Sequence, residues 1–137
     1  MGATGRWPFF NYAVIVKPET KFWNEVKRKT KNISWIRIEN LSVPGTPDLL
    51  GYNNLGHFFT VELKYTKNNK VKFSPHQIAF HVKHPENTFI LIKQETASSC
   101  SVKLYEGKRI LELDACGLTL DACRSNLDSS VKFLESI

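Results

Sequence analysis

The 137-residue sequence is poor in cysteine and has no apolar run long enough to cross a bilayer. Its three cysteines, Cys100, Cys116 and Cys123, are odd in number and form no C-x-x-C pair. This pattern suggests neither a disulfide framework nor a zinc knuckle. The opening residues, MGATGRWPFF, lack the charged and then apolar layout of a signal peptide. We therefore expect an intracellular, cytoplasmic protein with free thiols and no membrane association.

Acidic residues are also scarce, and the basic excess is uneven along the chain. Residues 1–105 hold 15 Lys and Arg against 7 Asp and Glu, whereas residues 106–137 hold 4 against 6. The net charge of +6 therefore comes from the first three quarters of the chain. A positive surface attracts polyanions, so nucleic acid is the first partner class to consider. The alternative is that the positive charge serves only solubility.

The most informative stretch lies between residues 43 and 77. Residues 57–65 (HFFTVELKY) are rich in β-branched and aromatic side chains and predict a strand. Side chains alternate along a strand, so Glu62 and Lys64 share one face, opposite a core-like set. Residues 48–52 predict a second strand, joined to the first by a turn-rich segment.

A hairpin symmetric about Leu55 would place Asp48 opposite Glu62. Like charges placed directly opposite each other are destabilising, and a divalent cation bridging both carboxylates would remove that penalty. The spacing alone is equally compatible with a metal site and with a surface hairpin of unrelated charges. The preceding Pro47 and the basic surroundings favour the metal site.

Residues 19–31 predict a helix that begins near Pro18 and ends among lysines. Its apolar positions lie three, four and seven residues after Glu19, which puts Glu19 on or beside the buried stripe. Glu25 falls among lysines on the solvent side. A carboxylate at this position is either a partner of the helix dipole or a site residue.

A second helix is predicted after Phe73. Ser74 suits the N-cap, Pro75 the first turn and Gln77 the third position of a capping box, and Pro85 and Asn87 end the helix. Ile78, Val82 and Phe80 are the predicted inward residues. His76, His81 and His84 surround this helix, either as a zinc site or as partly exposed histidines near a phosphate-binding face.

The remaining patterns complete an α/β fold with a mixed central sheet flanked by helices. Residues 7–16 predict a strand or an extended arm. Sheet strands are predicted over residues 33–39 and 88–94, a hairpin over 101–105 and 109–114, and a helical tail from residue 119. We expect one domain over residues 1–137, with a core at about 19–94 and an additional hairpin and tail at 95–137.

The motifs G45-T-P-D48, E62-L-K64 and S74-P-H-Q77 resemble those of the PD-(D/E)xK nuclease superfamily, closest to small VRR-NUC proteins and Holliday-junction resolvases. The resemblance implies a restriction-endonuclease-like core in the order α-β-β-β-α-β. It implies that Asp48, Glu62 and the backbone carbonyl of Leu63 hold Mg²⁺ or Mn²⁺. A glutamate of the first helix would lie near the site as a further carboxylate, and the helical spacing favours Glu19 over Glu25 for that position. Lys64 would act on the attacking water, and Gln77 would lie beside the metal water or a phosphate.

The implied function is a Mg²⁺-dependent endodeoxyribonuclease of DNA recombination and repair, acting as a homodimer on branched DNA. The alternatives are a flap, nicking or restriction-like nuclease and a non-catalytic nucleic-acid-binding domain of the same fold. A viral or mobile-element origin would suit so compact a nuclease. The candidate phosphate contacts are Lys21, Lys67, Lys70, Lys72 and His76.

Overall fold

A computed structural model describes residues 17–38 and 43–137. In this part of the chain, four α-helices accompany a six-stranded sheet, with two short 3₁₀ turns at Gly107–Arg109 and Gly117–Thr119. The elements in chain order are α1 (Pro18–Lys29), β1 (Ile33–Arg37), β2 (Leu49–Asn53), β3 (Phe58–Thr66), α2 (Pro75–Lys83), β4 (Thr88–Glu95), β5 (Cys100–Glu106), α3 (Ile110–Cys116), β6 (Arg124–Ser125) and α4 (Leu127–Ser136).

The strands lie in the sheet in the same order as in the chain. β3 and β4 are parallel and joined through α2, whereas every other neighbouring pair is antiparallel. A parallel pair needs a crossover connection, which α2 provides here. The predicted α/β class with a mixed central sheet is therefore confirmed.

One surface of the sheet, the α1 face, packs against α1 and α4. The alternation of side chains along β3 sends Phe59, Val61 and Leu63 to this face, where all three are buried. α1 contributes Phe22, Trp23 and Val26 at the predicted helical spacing. This face holds the larger of the two apolar clusters among the described residues.

The opposite surface, the site face, carries Glu62 and Lys64. Over β4 and β5 it is covered by a second apolar cluster, in which Ile90, Ile92 and Tyr105 pack with Val71 and with α3. Over β1 and β2 it is more open, because several of its large apolar side chains are exposed. These are Ile36, Tyr52 and, at the start of β3, Phe58.

The predicted hairpin over residues 101–105 and 109–114 is half wrong. The first segment is β5, but the second is helical, beginning with the 3₁₀ turn and continuing as α3. Ile110 and Leu113 are fully buried while Leu111 is 59% exposed, and a spacing of three suits one face of a helix. The strand that pairs with β5 on this side is β6.

The predicted helical tail begins later than residue 119. α4 starts at Leu127, after Asn126, whose side chain accepts a hydrogen bond from the backbone N–H of Ser129. An N-cap of this kind satisfies a free donor of the first turn, which sets the start of the helix. Residues 119–126 instead finish the second 3₁₀ turn and form β6.

Two predictions fall partly or wholly outside the described residues. These are the arm over residues 7–16 and the end of the first predicted strand at residue 39. Within residues 17–38 and 43–137, no helix combines the length and the apolar character needed to cross a membrane.

Candidate metal site

The β2–β3 hairpin has the register predicted from its symmetry. Leu49 pairs with Val61, so the next pair outward brings Asp48 beside Glu62. The backbone carbonyl of Asp48 accepts from Ile38 N–H at 2.8 Å, and its carboxylate Oδ2 accepts from Leu63 N–H at 2.8 Å. These two bonds fix Asp48 between β1 and β3, with its carboxylate beside the E-L-K segment.

Glu62 is a buried acid with an incomplete set of partners. Its side chain is 3% exposed, and its Oε2 accepts a hydrogen bond from Gln77 Nε2 at 3.2 Å. Its Oε1 is buried and has no hydrogen-bond partner among the described protein atoms. Burial, followed by the negative charge of Asp48 and a hydrogen bond to its carboxyl group, raises the pKa of Glu62 to about 9, although the charge of Lys64 opposes this. Two acids are thus held close together in a desolvated place.

Gln77 connects the acid to the lysine. Its Oε1 accepts from Lys64 Nζ at 3.0 Å and from Ser74 N–H at 3.0 Å, and its Nε2 donates to Glu62. Its own N–H donates to the Ser74 hydroxyl, which completes the predicted capping box. Gln77 therefore caps α2 and contacts Glu62 and Lys64 at the same time.

The loop that leads to Asp48 is packed on the start of α2. Gly45 has a φ of +87°, and a Cβ added there would overlap the backbone carbonyl of His76. Only glycine combines this conformation with so close an approach. The G-x-P-D segment and the S-x-x-Q segment are therefore in direct contact, and both flank Glu62.

Of the two candidate helix carboxylates, Glu19 lies on the side of the site. It is exposed near the start of α1, lines the same cleft as Lys64, and its charge contributes to the raised pKa of Glu62. The prediction that Glu25 lies on the solvent side is wrong. Glu25 is half-buried and pairs with Lys93 at 2.9 Å, because β4 presents that lysine on the α1 face.

A cleft of about 510 Å³ opens beside the carboxyl end of β3. We call it the lysine cleft, because its lining includes Lys64, Lys67, Lys70 and Lys72. Residues 67, 70 and 72 are exposed and form no ion pair with any described residue. Three of the five candidate phosphate contacts are therefore brought together here, whereas Lys21 and His76 do not line the cleft.

The three histidines around α2 do not gather into a zinc site. Across residues 17–38 and 43–137, no three His, Cys, Asp or Glu side chains come together as a metal-binding group. The candidate site thus offers Asp48 and Glu62 as a pair, to which the predicted carbonyl of Leu63 would add an oxygen.

His81 was predicted to be partly exposed, but it is fully buried. Its Nδ1 donates to the Gln77 carbonyl at 3.0 Å, and burial lowers its pKa. Its Nε2 has no partner among residues 17–38 and 43–137. His81 takes the inward position that was predicted for Val82, which is 54% exposed. Thr88 and Gly107 lie close by, since a Cβ on Gly107 would meet both Thr88 and His81.

Comparisons of the chain with protein-family models, with curated proteins and with solved structures gave no match.

Proposed function

We propose that this protein is a Mg²⁺- or Mn²⁺-dependent endodeoxyribonuclease that hydrolyses phosphodiester bonds. The observation that carries the proposal is the paired arrangement of Asp48 and Glu62, with Glu62 buried and one of its oxygens without a partner in the described part of the chain. Lys64 lies on the same strand face, and Gln77 joins it to Glu62 by hydrogen bonds. An acid pair with a lysine beside it is the set that metal-assisted phosphodiester hydrolysis needs.

The residues present fit a hard divalent cation. Mg²⁺ is held by one or two carboxylates and completes its shell with water and phosphate oxygens. Asp48 and Glu62 would supply the carboxylates, the carbonyl of Leu63 a further oxygen, and Glu19 a more distant negative charge. When bound, the ion would lower the pKa of a water molecule and polarise a phosphoryl oxygen.

Lys64 has a separate role in the proposal. Its ammonium is held by Gln77 at 3.0 Å and also lies 5.1 Å from the centre of the Phe73 ring. Two restraints on a flexible side chain fix where its positive charge sits. At that position Lys64 would orient the attacking water and offset negative charge on the pentavalent phosphorus.

The lysine cleft supports nucleic acid as the substrate. It begins at Lys64 and continues through lysines that have no acidic partner in the described part of the chain. Such a row binds successive phosphates by releasing counterions, so binding should weaken steeply with salt. The preference for branched DNA and the homodimer remain expectations from the family resemblance.

The experiment compares wild type with Asp48→Asn on labelled four-way junctions, flaps, duplex and single strands, each in Mg²⁺ or in EDTA. We expect cleavage only with the metal and only by the wild type, because the substitution removes a charged ligand while keeping the side chain's size. Asp128→Asn is the matched control. Asp128 is an exposed acid on α4, and the same chemical change there should leave cleavage intact.

The outcomes separate the alternatives. Paired symmetric cuts confined to the junction would select the resolvase, and cuts at flaps or nicks would select the other structure-selective nucleases. Cleavage that Asp48→Asn leaves untouched would disprove the proposed site. A gel shift without cleavage would leave the non-catalytic binding domain, since the lysine cleft does not depend on the metal.

A further inference from the structure

Two exposed aromatic side chains lie on the site face beyond the acid pair. Tyr52 on β2 is 42% exposed and Phe58 on β3 is 56% exposed. They are directly opposed across the hairpin, with ring centroids 4.5 Å apart and planes tilted by 51°. We call these two residues the aromatic pair. Exposed aromatic rings side by side on a sheet offer apolar ring faces to a partner.

The aromatic pair and the acid pair belong to one row of cross-strand partners. Asp48 lies beside Glu62, the next same-face pair is Leu50 with Thr60, and the one after that is Tyr52 with Phe58. At about 3.3 Å per residue, Phe58 lies roughly 13 Å from Glu62 along β3. The lysine cleft lies at the other end of the same strand. A polynucleotide following β3 through the site would therefore reach the aromatic pair.

Asn53, the neighbour of Tyr52, holds this end of the hairpin rigidly. Its buried side chain accepts from the N–H groups of Leu55 and His57 at 3.1 Å each. Its Nδ2 donates to the carbonyls of Leu134 and Ile137 at 3.0 Å each, which ties the turn to the end of α4. The sequence suggested only a turn residue here. Because the support of the aromatic pair is rigid, binding a partner there has a low entropic cost.

We propose that the aromatic pair stacks against an unpaired nucleobase of the DNA substrate, on the side of the acid pair away from the lysine cleft. The inference rests on the proposed nuclease function and adds a determinant of substrate choice. Base stacking on aromatic side chains is independent of base identity, because every base has an aromatic face. In an intact duplex the bases stack on one another, so the face is free only in a distorted or single-stranded nucleotide.

A nucleobase fits this surface better than a second copy of the chain does. A whole buried aromatic side chain contributes about 150–250 Å². The exposed parts of Ile36, Tyr52 and Phe58 therefore sum to a few hundred Å². A stable protein interface needs about 800 Å² from each partner. The aromatic pair also lies in line with the lysine cleft and the acid pair. A nucleotide likewise combines a charged phosphate with an apolar base, so one strand of DNA could contact all three.

The distance between the acid pair and the aromatic pair predicts where along the substrate the stacked base lies. Roughly 13 Å along the strand is about four nucleotides at the 3.4 Å rise of stacked DNA, and fewer in a stretched single strand. The enzyme would thus select DNA with an unpaired base two to four nucleotides from the cut, on one side only. This supplies a physical basis for a preference for flaps, bulges or junctions that does not depend on sequence.

The test measures affinity in EDTA, where cleavage does not occur, for two DNAs with the same paired sequence. One is a perfect duplex, and the other carries one additional, unpaired nucleotide as a bulge. The double variant Tyr52→Leu with Phe58→Leu keeps apolar side chains but removes both rings. We expect it to weaken binding of the bulged DNA by roughly 10-fold or more. Its affinity for the duplex should change little.

Three controls distinguish stacking on the rings from other causes of weaker binding. Tyr52→Phe with Phe58→Tyr keeps both rings and should retain the preference for the bulge, which also shows that the surface tolerates substitution. Lys70→Ala removes a charge from the lysine cleft and should weaken both DNAs alike. A 2-aminopurine base in the bulge should be quenched by the wild type and not by the double leucine variant.

An unchanged ratio of bulge to duplex affinity in the leucine variant would overturn the stacking proposal. So would an equal loss for both DNAs together with a shift from dimer to monomer in sedimentation, since that would assign the surface to self-association. Cleavage in Mg²⁺ is measured separately on the same preparations. A protein that fails to cleave but keeps the ring-dependent preference would disprove the nuclease and leave the stacking surface standing.

Discussion

Glu25 is partly buried and Glu62 is fully buried, on opposite sides of one sheet. They differ in whether a lysine forms an ion pair with them. Glu25 on α1 meets Lys93 of β4 at 2.9 Å, with 30% and 17% of the two side chains exposed. Glu62 on β3 has no ion-pair partner within the described residues; it contacts the amide of Gln77 and lies beside a second acid.

The contrast separates an acid that serves the fold from one suited to a ligand. Burial tends to lower the pKa of Lys93, but its hydrogen bond to Glu25 and the charge of Glu25 outweigh this and raise it. That pair is complete within the protein. At Glu62 the chain brings two carboxylates together and leaves one oxygen without a partner among the described residues, which costs free energy unless a proton or a cation is bound.

The largest predicted effect concerns Mg²⁺ and stability. We expect Mg²⁺ to raise the thermal stability of the wild type, by about 2.7 kcal/mol at 100 times the dissociation constant, because the ion binds the folded acid pair. Glu62→Gln should abolish this stabilisation, and Glu25→Gln should retain it. Calorimetric or fluorescence melts at increasing Mg²⁺ measure both. Equal stabilisation of the two variants would mean that the ion binds elsewhere.

The second prediction concerns the ion pair between Glu25 and Lys93. Replacing either Glu25 by Gln or Lys93 by Met should destabilise the fold by about 1–2 kcal/mol, since each change leaves a largely desolvated charge without its partner. The double variant should lose less than the sum of the single losses. Urea unfolding of the wild type, the two single variants and the double variant gives the coupling free energy between Glu25 and Lys93. DNA cleavage should stay at the wild-type rate in all four proteins. A coupling of zero would show that the contact at 2.9 Å is energetically neutral.

The smallest predicted effect concerns His81, a buried titratable group that has no acidic partner among the described residues. Burial holds its pKa below the ordinary value, with the charge of His84 acting in the same direction. The unfolded chain therefore binds the proton more readily. Stability should be full above the ordinary pKa of about 6.5 and fall as the pH drops below it, by up to about 1.4 kcal/mol per pH unit.

Unfolding at pH 7.5 and at pH 5.5, compared between wild type and His81→Gln, isolates this contribution. The variant should be less stable at both pH values but lose less on acidification. His57, His76 and His84 are exposed and are present in both proteins, so the two proteins differ only at position 81. The same pH dependence in both proteins would show that His81 is not the responsible group.

Local patterns were sufficient for the parts of the site that lie close together in the chain. The turn-rich segment between residues 53 and 56 sets the hairpin register, and register alone brings Asp48 beside Glu62. The capping box at Ser74 and Gln77 is equally local, because its bonds span three residues. Alternation along β3 then assigns Glu62 and Lys64 to one face.

Patterns failed where the deciding partner is distant in sequence. Nothing near Glu25 indicates Lys93, 68 residues away, so a helical-wheel argument placed Glu25 in solvent. His81 is buried because β4 and the turn at Gly107 close over it, which the composition of α2 does not reveal. The segment 109–114 was ambiguous between strand and helix, since short apolar runs fit both periods.

The sequence by itself determined the hairpin, the capping box and the face that carries Glu62 and Lys64, because each follows from local periodicity or from a turn. Tertiary structure decided that Glu25 has an ion-pair partner and that Glu62, among the described residues, has none. It also brought Gln77 to Glu62 and gathered the lysines into a cleft. These properties depend on contacts between distant segments, and the electrostatic consequence of a carboxylate is set by what surrounds it once water is removed.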